Sequence, residues 1–271
     1  MGLTIGEIAS NESLLNQLQK NAKQESEGLQ PLSSGKKINS AKDDAAGLII
    51  SQQLLTELNA LDQTARNASD GISLVQVADG GLASINDNLS RIRELSLQAS
   101  NGTLGSSQRD AIQAEVGQLQ EQISTVLDTT QFNDLKLLQS NATIELQVGG
   151  LASDKLSLQL PDLGASLTPA QAIDVSTGVG ASNALAVIDT AIDAVNSFRG
   201  DLGAVSKRIE SVISNNRNSA ENTAAARSRI NDTDFALATS EQLKQNLLKN
   251  SGNAVQAQAN ASSQLVLSLL S

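Results

Sequence analysis

The sequence predicts a mainly α-helical protein, an elongated antiparallel helical bundle or coiled coil with one small β-hairpin insert. Three observations carry that expectation. From Leu61 to Ala99 the small or apolar positions Leu61, Thr64, Ala68, Gly71, Val75, Ala78, Leu82, Ile85, Leu89, Ile92, Ser96 and Ala99 recur in alternating steps of three and four. A mean step of 3.5 residues lays a narrow stripe along partner helices, and a helix of this length is a rod on the order of 60 Å. The apolar repertoire is Leu, Ile, Val and Ala, with three Phe, one Met, no Trp and no Tyr, which suits helix seams. Finally, the helical period disappears in one stretch only, between Phe132 and about Val179.

In chain order, Thr4 to Gln30 carries Ile8, Leu14, Leu15, Leu18 and Ala22, an amphipathic stripe too thin to fold alone. Pro31 is expected to end this helix, because it lacks an amide donor. The Ser-, Gly- and Asn-rich run Leu32 to Asp44 reads as irregular chain, with Ser40 or Asp43 as the cap of a helix that begins near Asp44. The long helix follows, with expected weak points at Asp70-Gly71 and Gly80-Gly81, since each glycine costs roughly 1 kcal/mol relative to Ala. Asn101 to Gly105 stops it, and Ser106 or Ser107 is expected to cap a helix from Gln108 to about Leu127. The short connection makes that helix antiparallel to its predecessor.

Thr143–Val148 and Lys155–Leu160 alternate polar with apolar residues around Gly149-Gly150, which predicts a β-hairpin. Pro161, Pro169 and a Ser/Thr/Gly/Ala-rich run are expected to complete a loop-like insert. Helical stepping resumes at Ala184 through Leu185, Ile188, Ile192, Val195, Phe198, Leu202, Val205, Ile209 and Val212, then fades over Asn215 to Arg229. The tail from Asp234 is apolar, Ala-rich and nearly uncharged after Lys249, so it calls for partners on more than one side. Both ends are thus helices that cannot bury themselves alone, which points to assembly.

Composition excludes several functions. The chain has no Cys and no His, which removes disulfides, thiolate nucleophiles, most zinc sites and the usual general base. Lys42, Asp43 and Asp44 read as a helix start rather than an acid–base or metal constellation, so no catalytic, cofactor or metal residues are assigned. A net charge of −10 argues against a nucleic-acid partner. The N-terminus has neither a basic n-region nor an apolar h-region, and no window approaches the ~18 apolar residues of a membrane span. Sequons such as Asn67-Ala68-Ser69 and Asn101-Gly102-Thr103 are expected by chance in so Asn/Ser-rich a chain.

Several separate blocks resemble bacterial flagellin, in that family's order: Leu32 to Gly47 (LSSGKKINSAKDDAAG), Ala65 to Ser73 (ARNASDGIS), Arg91 to Gln98 (RIRELSLQ), Thr130 to Leu138 (TQFNDLKLL), and Gly203-Ala204-Val205 with Ala226 to Ile230. The resemblance implies a filament subunit with no enzymatic activity and no cofactor, whose N- and C-terminal helices pair as an inner coiled coil. It divides the chain into an inner-tube helix 1–34, an outer-tube part 35–139, a short insert 140–182, a second outer-tube part 183–232 and an inner-tube helix 233–271. The chain would be a short form without large outer domains. The other structural possibility is a hook–filament junction protein or another flagellar-related subunit. The zinc-protease insert of some relatives is ruled out by the absence of His and by the brevity of 140–182.

The same resemblance implies other partners besides further copies of the chain: an export chaperone at the C-terminal helix, hook-associated junction and cap proteins, and the flagellin-recognising Toll-like receptor, with Arg91, Leu95 and Glu115 as its contacts. It also implies export to an extracellular flagellum through the type III path without a cleaved signal peptide, which the absence of Cys suits. Ser140, Thr143, Ser153, Ser157, Ser166 and Thr168 are candidate O-glycan acceptors.

Overall fold

A computed structural model describes the backbone of residues 2–160 and 162–270, and the side chains of 12–160, 162–262 and 264. Pro161 in the insert, Ile8 near the start and the tail leucines from Leu265 onward lie outside these described residues or side chains. The element order is α1 (Gly2–Ser34), α2 (Ala45–Ala99), α3 (Ser106–Thr129), β1 (Gln131–Phe132), β2 (Leu135–Lys136), β3 (Thr143–Gln147), β4 (Lys155–Gln159), α4 (Leu163–Gln171), α5 (Gly178–Asn231) and α6 (Phe235–Leu270). The chain forms two compact units, residues 58–221 and residues 1–57 with 222–271.

The first unit holds the core. Along α2 the expected stripe is buried from Thr64 to Ala99, with Ala68, Ala78, Leu82, Ile85, Leu89 and Ile92 fully enclosed and Leu61 at its edge half-buried. Facing it are Ile112, Val116, Ile123 and Leu127 of α3 and Ile188, Val195, Leu202 and Ile209 of α5. Neither Asp70-Gly71 nor Gly80-Gly81 breaks α2. A Cβ at Gly71 would stand 2.6 Å from Leu146 Cδ1, and one at Gly81 2.6 Å from Thr130 Oγ1, so both glycines admit a close neighbour. One stretch of α5 is, contrary to the sequence expectation, long and apolar enough to cross a membrane. Its positions Ala184, Ile188, Ala191 and Val195 are instead packed into this core.

The expected hairpin is present, β3 pairing antiparallel with β4 in the register Thr143↔Gln159 to Gln147↔Lys155. Leu156 and Leu158 point inward. Asn216 Nδ2, itself buried, donates to Thr64 Oγ1 (3.0 Å) and Val148 O (2.9 Å), and Asn67 Nδ2 donates to Gln147 O (3.2 Å), which fastens the hairpin to the helices. Two elements were not expected. A tiny hairpin β1–β2 turns through Asn133 (φ 49) and Asp134 (φ 65), the paired positive φ of a type I′ turn. The insert is also no simple loop: α4 is capped by Asp162, whose side chain accepts from Ala165 N. Its residues Leu163, Leu167 and Ala170 form a buried face at helical spacing, which outweighs the helix-breaking tendency of Pro169 so near the C-terminus.

Caps and stops also differ from expectation. The N-cap of α2 is Asp44, whose Oδ1 accepts from Gly47 N at 2.9 Å. Asp43 instead ties the preceding loop, its Oδ2 accepting from Asn39 N (3.1 Å) and Ser40 N (2.9 Å). The N-cap of α3 is Gly105, whose amide donates to Gln108 Oε1 at 2.6 Å. Pro31 does not end α1; the helix runs on to Ser34 and stops at Gly35. Gly35 takes φ +70, and its amide donates to Pro31 O at 2.9 Å, the left-handed C-terminal motif that favours glycine. Likewise α5 begins six residues before Ala184 and runs through the polar stretch 215–229 without fading.

Candidate assembly surface

The second unit is built differently. Helix α1 lies against α6, and the pairing is antiparallel: Gly28 is near Gln242, Glu25 Oε2 accepts from Lys249 Nζ at 2.8 Å, and Gly252 faces Leu18. The expected pairing of the N- and C-terminal helices is present as this contact. At the end of the pair the two connecting segments are sewn together, Lys37 N donating to Asn231 O (2.7 Å) and Thr233 N to Gly35 O (3.0 Å).

What α6 presents to α1 is polar. Gln242, Gln245, Asn246, Lys249 and Gln256 are half-buried together with the small residues Ala238, Gly252 and Ala259, whereas Leu237, Leu243, Leu247, Leu248 and Val255 are exposed, Leu243 and Leu247 each to 61%. The polar seam is incompletely matched, because Gln242 Oε1, Gln245 Oε1 and Thr233 Oγ1 are enclosed without a hydrogen-bond partner among the described residues. Each such group costs roughly 1–3 kcal/mol. Among the described residues the one buried apolar side chain of this unit is Ile38. Leu15 and Leu29 of α1 and Ile49 and Ile50 at the start of α2 are exposed as well. A Leu left in water forgoes about 1.5–3 kcal/mol relative to burial, so this surface gains free energy when other apolar helices cover it.

The surface of the core unit is ionic. Arg91 donates to Glu115 Oε1 (2.8 Å) and to Glu94 Oε2 (3.0 Å), Arg93 to Asp189 Oδ1 (2.7 Å) and Arg199 to Asp79 Oδ1 (2.7 Å). The hydrogen bond to Glu115 is the main cause that raises the Arg91 pKa, and the bonds to Asp189 and Asp79 raise those of Arg93 and Arg199. These groups are half-exposed, so water screens them and the pairs act more to fix helix registry than to add stability. Of the three receptor-contact candidates, Arg91 and Glu115 meet across α2 and α3. Leu95 does not join them on the surface; it is 3% exposed and packs into the core below.

Of the hydroxyl candidates, Thr143 and Ser157 lie on the outer face of the β3–β4 hairpin, and Ser153 is in its turn. Ser166 and Thr168 are exposed on α4, their hydroxyls donating to Asp162 O and Gly164 O. Ser140 is half-buried and donates to Lys136 O at 2.6 Å. The polar seam of α6 is not apparent from the sequence. Its glutamines recur at helical spacing just as the leucines do, and apolar character alone favours the leucines as the inward face.

Residues 5–143 match the bacterial flagellin N-terminal helical region, and residues 185–270 match the bacterial flagellin C-terminal helical region. The chain is 42% identical over 253 residues to a flagellin of Halalkalibacterium halodurans, covering 92% of this chain and 93% of the relative. It is 35% identical over 291 residues to a flagellin of Bacillus subtilis, covering 94% and 96%. The crystal structure of Bacillus cereus flagellin is similar with a TM-score of 0.53 and 30% identity, covering 60% of this chain and 94% of that one.

Proposed function

The chain belongs to the bacterial flagellin family and is a structural subunit of the extracellular flagellar filament, and we propose that it polymerises by covering the outward apolar stripe of α6 with neighbouring copies. It is not an enzyme. One observation supports this reading: α6 turns a glutamine-rich edge to α1 and its leucines to solvent, an arrangement unfavourable for an isolated chain and favourable within a polymer. Electron microscopy after salting-out tests it on Leu243→Glu/Leu247→Glu. Filaments are expected from the unaltered chain and none from the variant, whose circular dichroism is otherwise unchanged. Normal filaments from the variant would refute the proposal.

Segments 1–34 and 233–271 form the inner tube, 35–139 with 183–232 the outer tube, and 140–182 the insert between the outer-tube parts. Before export, the apolar face of α6 binds a chaperone that shields it. Hook-associated junction and cap proteins meet the subunit at the ends of the filament, and export proceeds without cleavage of a signal peptide. Glycans, where added, are carried on the exposed hydroxyls of Thr143, Ser153, Ser157, Ser166 and Thr168; Ser140 is the least accessible of the six.

Recognition of shed monomer by the flagellin-sensing Toll-like receptor uses Arg91 and Glu115 as the exposed contacts, with Leu95 beneath them as packing. A receptor reporter assay separates these roles. Arg91→Ala removes a typical hot-spot side chain and lowers signalling by about 2 kcal/mol of binding or more. Glu115→Ala weakens it less, and Leu95→Ala acts through lost packing and lowers the melting temperature in parallel. Full signalling by Arg91→Ala would exclude this contact.

A further inference from the structure

We propose that the turn between α2 and α3 is a site of spontaneous chemical modification, in which Asn101 is converted to aspartate and isoaspartate by attack of the Gly102 amide on its side chain. Asn101-Gly102 is the one Asn-Gly pair in the chain. Both residues are exposed and lie outside the helices, just beyond the end of α2. Thr103 N donates to Asn101 Oδ1 at 3.1 Å. This bond closes a ring that contains the Gly102 nitrogen and keeps the side-chain carbonyl carbon of Asn101 on the Gly102 side.

Each participant is prepared for the reaction. The Gly102 N–H has no acceptor among the described residues, so losing its proton breaks no hydrogen bond. As the deprotonated nitrogen adds to Cγ, negative charge gathers on Oδ1, where the Thr103 N–H already points; the donor stands where an oxyanion develops. The C–N bond to the side-chain amide breaks, ammonia leaves with one added proton, and a five-membered succinimide remains. Water then opens either carbonyl. One opening leaves an ordinary aspartyl residue at this position, and the other gives an isoaspartyl link that lengthens the backbone by one carbon. Overall, one water is consumed and one ammonia released, and nothing is oxidised or reduced.

The consequence falls on the turn. Asn101 O accepts from Arg109 Nη2 (3.0 Å) and Leu104 N (3.2 Å), and Arg109 Nε donates to Ala99 O (2.8 Å), so one guanidinium clips the end of α2 to the start of α3. A lengthened backbone at this residue shifts the clipped carbonyl and loosens the connection.

The test uses the full-length soluble chain aged at physiological temperature in mildly acidic and mildly alkaline buffer. Trypsin releases Glu94 to Arg109, a peptide whose one asparagine is Asn101. Mass spectrometry with chromatographic separation of the two isomers is expected to show conversion concentrated in this peptide and faster at alkaline pH. Gly102→Ala is the control that keeps the fold, since Gly102 has no positive φ and a Cβ there meets nothing within 4 Å. In that variant conversion is expected to drop to the level of the other asparagine peptides, and the aged variant is expected to melt above the aged parent. An unconverted Asn101 peptide, or equal conversion with and without Gly102→Ala, would overturn the proposal.

Discussion

Asp43 illustrates how much a single exposed carboxylate organises. It accepts from the amides of Asn39 and Ser40 and from the Ser40 hydroxyl, and these bonds, the Asn39 amide foremost, hold its pKa below the ordinary 3.8. A depressed folded value means that its contribution is complete above 3.8 and is lost as pH falls through the lower folded value. Acidification into that range is therefore expected to lower the melting temperature of the parent more than that of Asp43→Asn, as read by circular dichroism. Identical acid profiles would show that the loop does not depend on the charge. Which of two adjacent aspartates caps α2 was not legible beforehand, because both carry the same chemistry and the choice turns on where the backbone first becomes helical. The antiparallel course of α2 and α3, which lets Arg91 meet Glu115, was legible from the short connection. The burial of Leu95 was not, since it lies between the stripe positions Ile92 and Ser96, and a stripe widens wherever a third helix packs against it.

At the scale of the element, period decided most of what could be foreseen. The buried positions of α2 follow its three–four steps from Thr64 to Ala99, in α5 Ile188, Val195, Phe198, Leu202 and Ile209 are buried as expected while Leu185, Ile192, Val205 and Val212 are half-buried, and the β3–β4 hairpin follows its alternation. The failures concern short elements and proline. Three apolar residues suffice for α4 once α3 supplies Gln120, whose Nε2 donates to Ala170 O (3.2 Å) and Ile173 O (3.1 Å). The Asn133-Asp134 turn was not foreseen, because between strands of two residues each the alternation is too brief to register. Pro31 sits inside α1 because the loss of one hydrogen bond in a final turn is outweighed by the glycine stop four residues later. Pro31→Ala restores a donor to that turn. It is expected to stabilise the end of α1 by roughly 1 kcal/mol or more, seen as slower amide exchange over residues 27–34. Unchanged exchange would mean that Pro31 is neutral in this turn.

For the whole molecule the governing fact is where the apolar interior resides. The buried cluster from Ala68 to Ile209 falls entirely within residues 58–221, so that unit is expected to survive removal of residues 234–271, while filament formation is lost. A cooperative melt with no polymer after salting-out is the expected behaviour of the truncated chain; polymer from it would contradict the role given to α6. The exposed leucines of α6 have a further effect on supply. Because they are satisfied by other copies, their stabilisation follows mass action, and growth has a threshold subunit concentration below which ends shed and above which they extend. Each Leu-to-polar exchange on that face raises the threshold by a factor set by its transfer free energy, with about 1.4 kcal/mol giving a tenfold rise. The exposed apolar face of α6 thus fixes how much free subunit a growing tip must be fed.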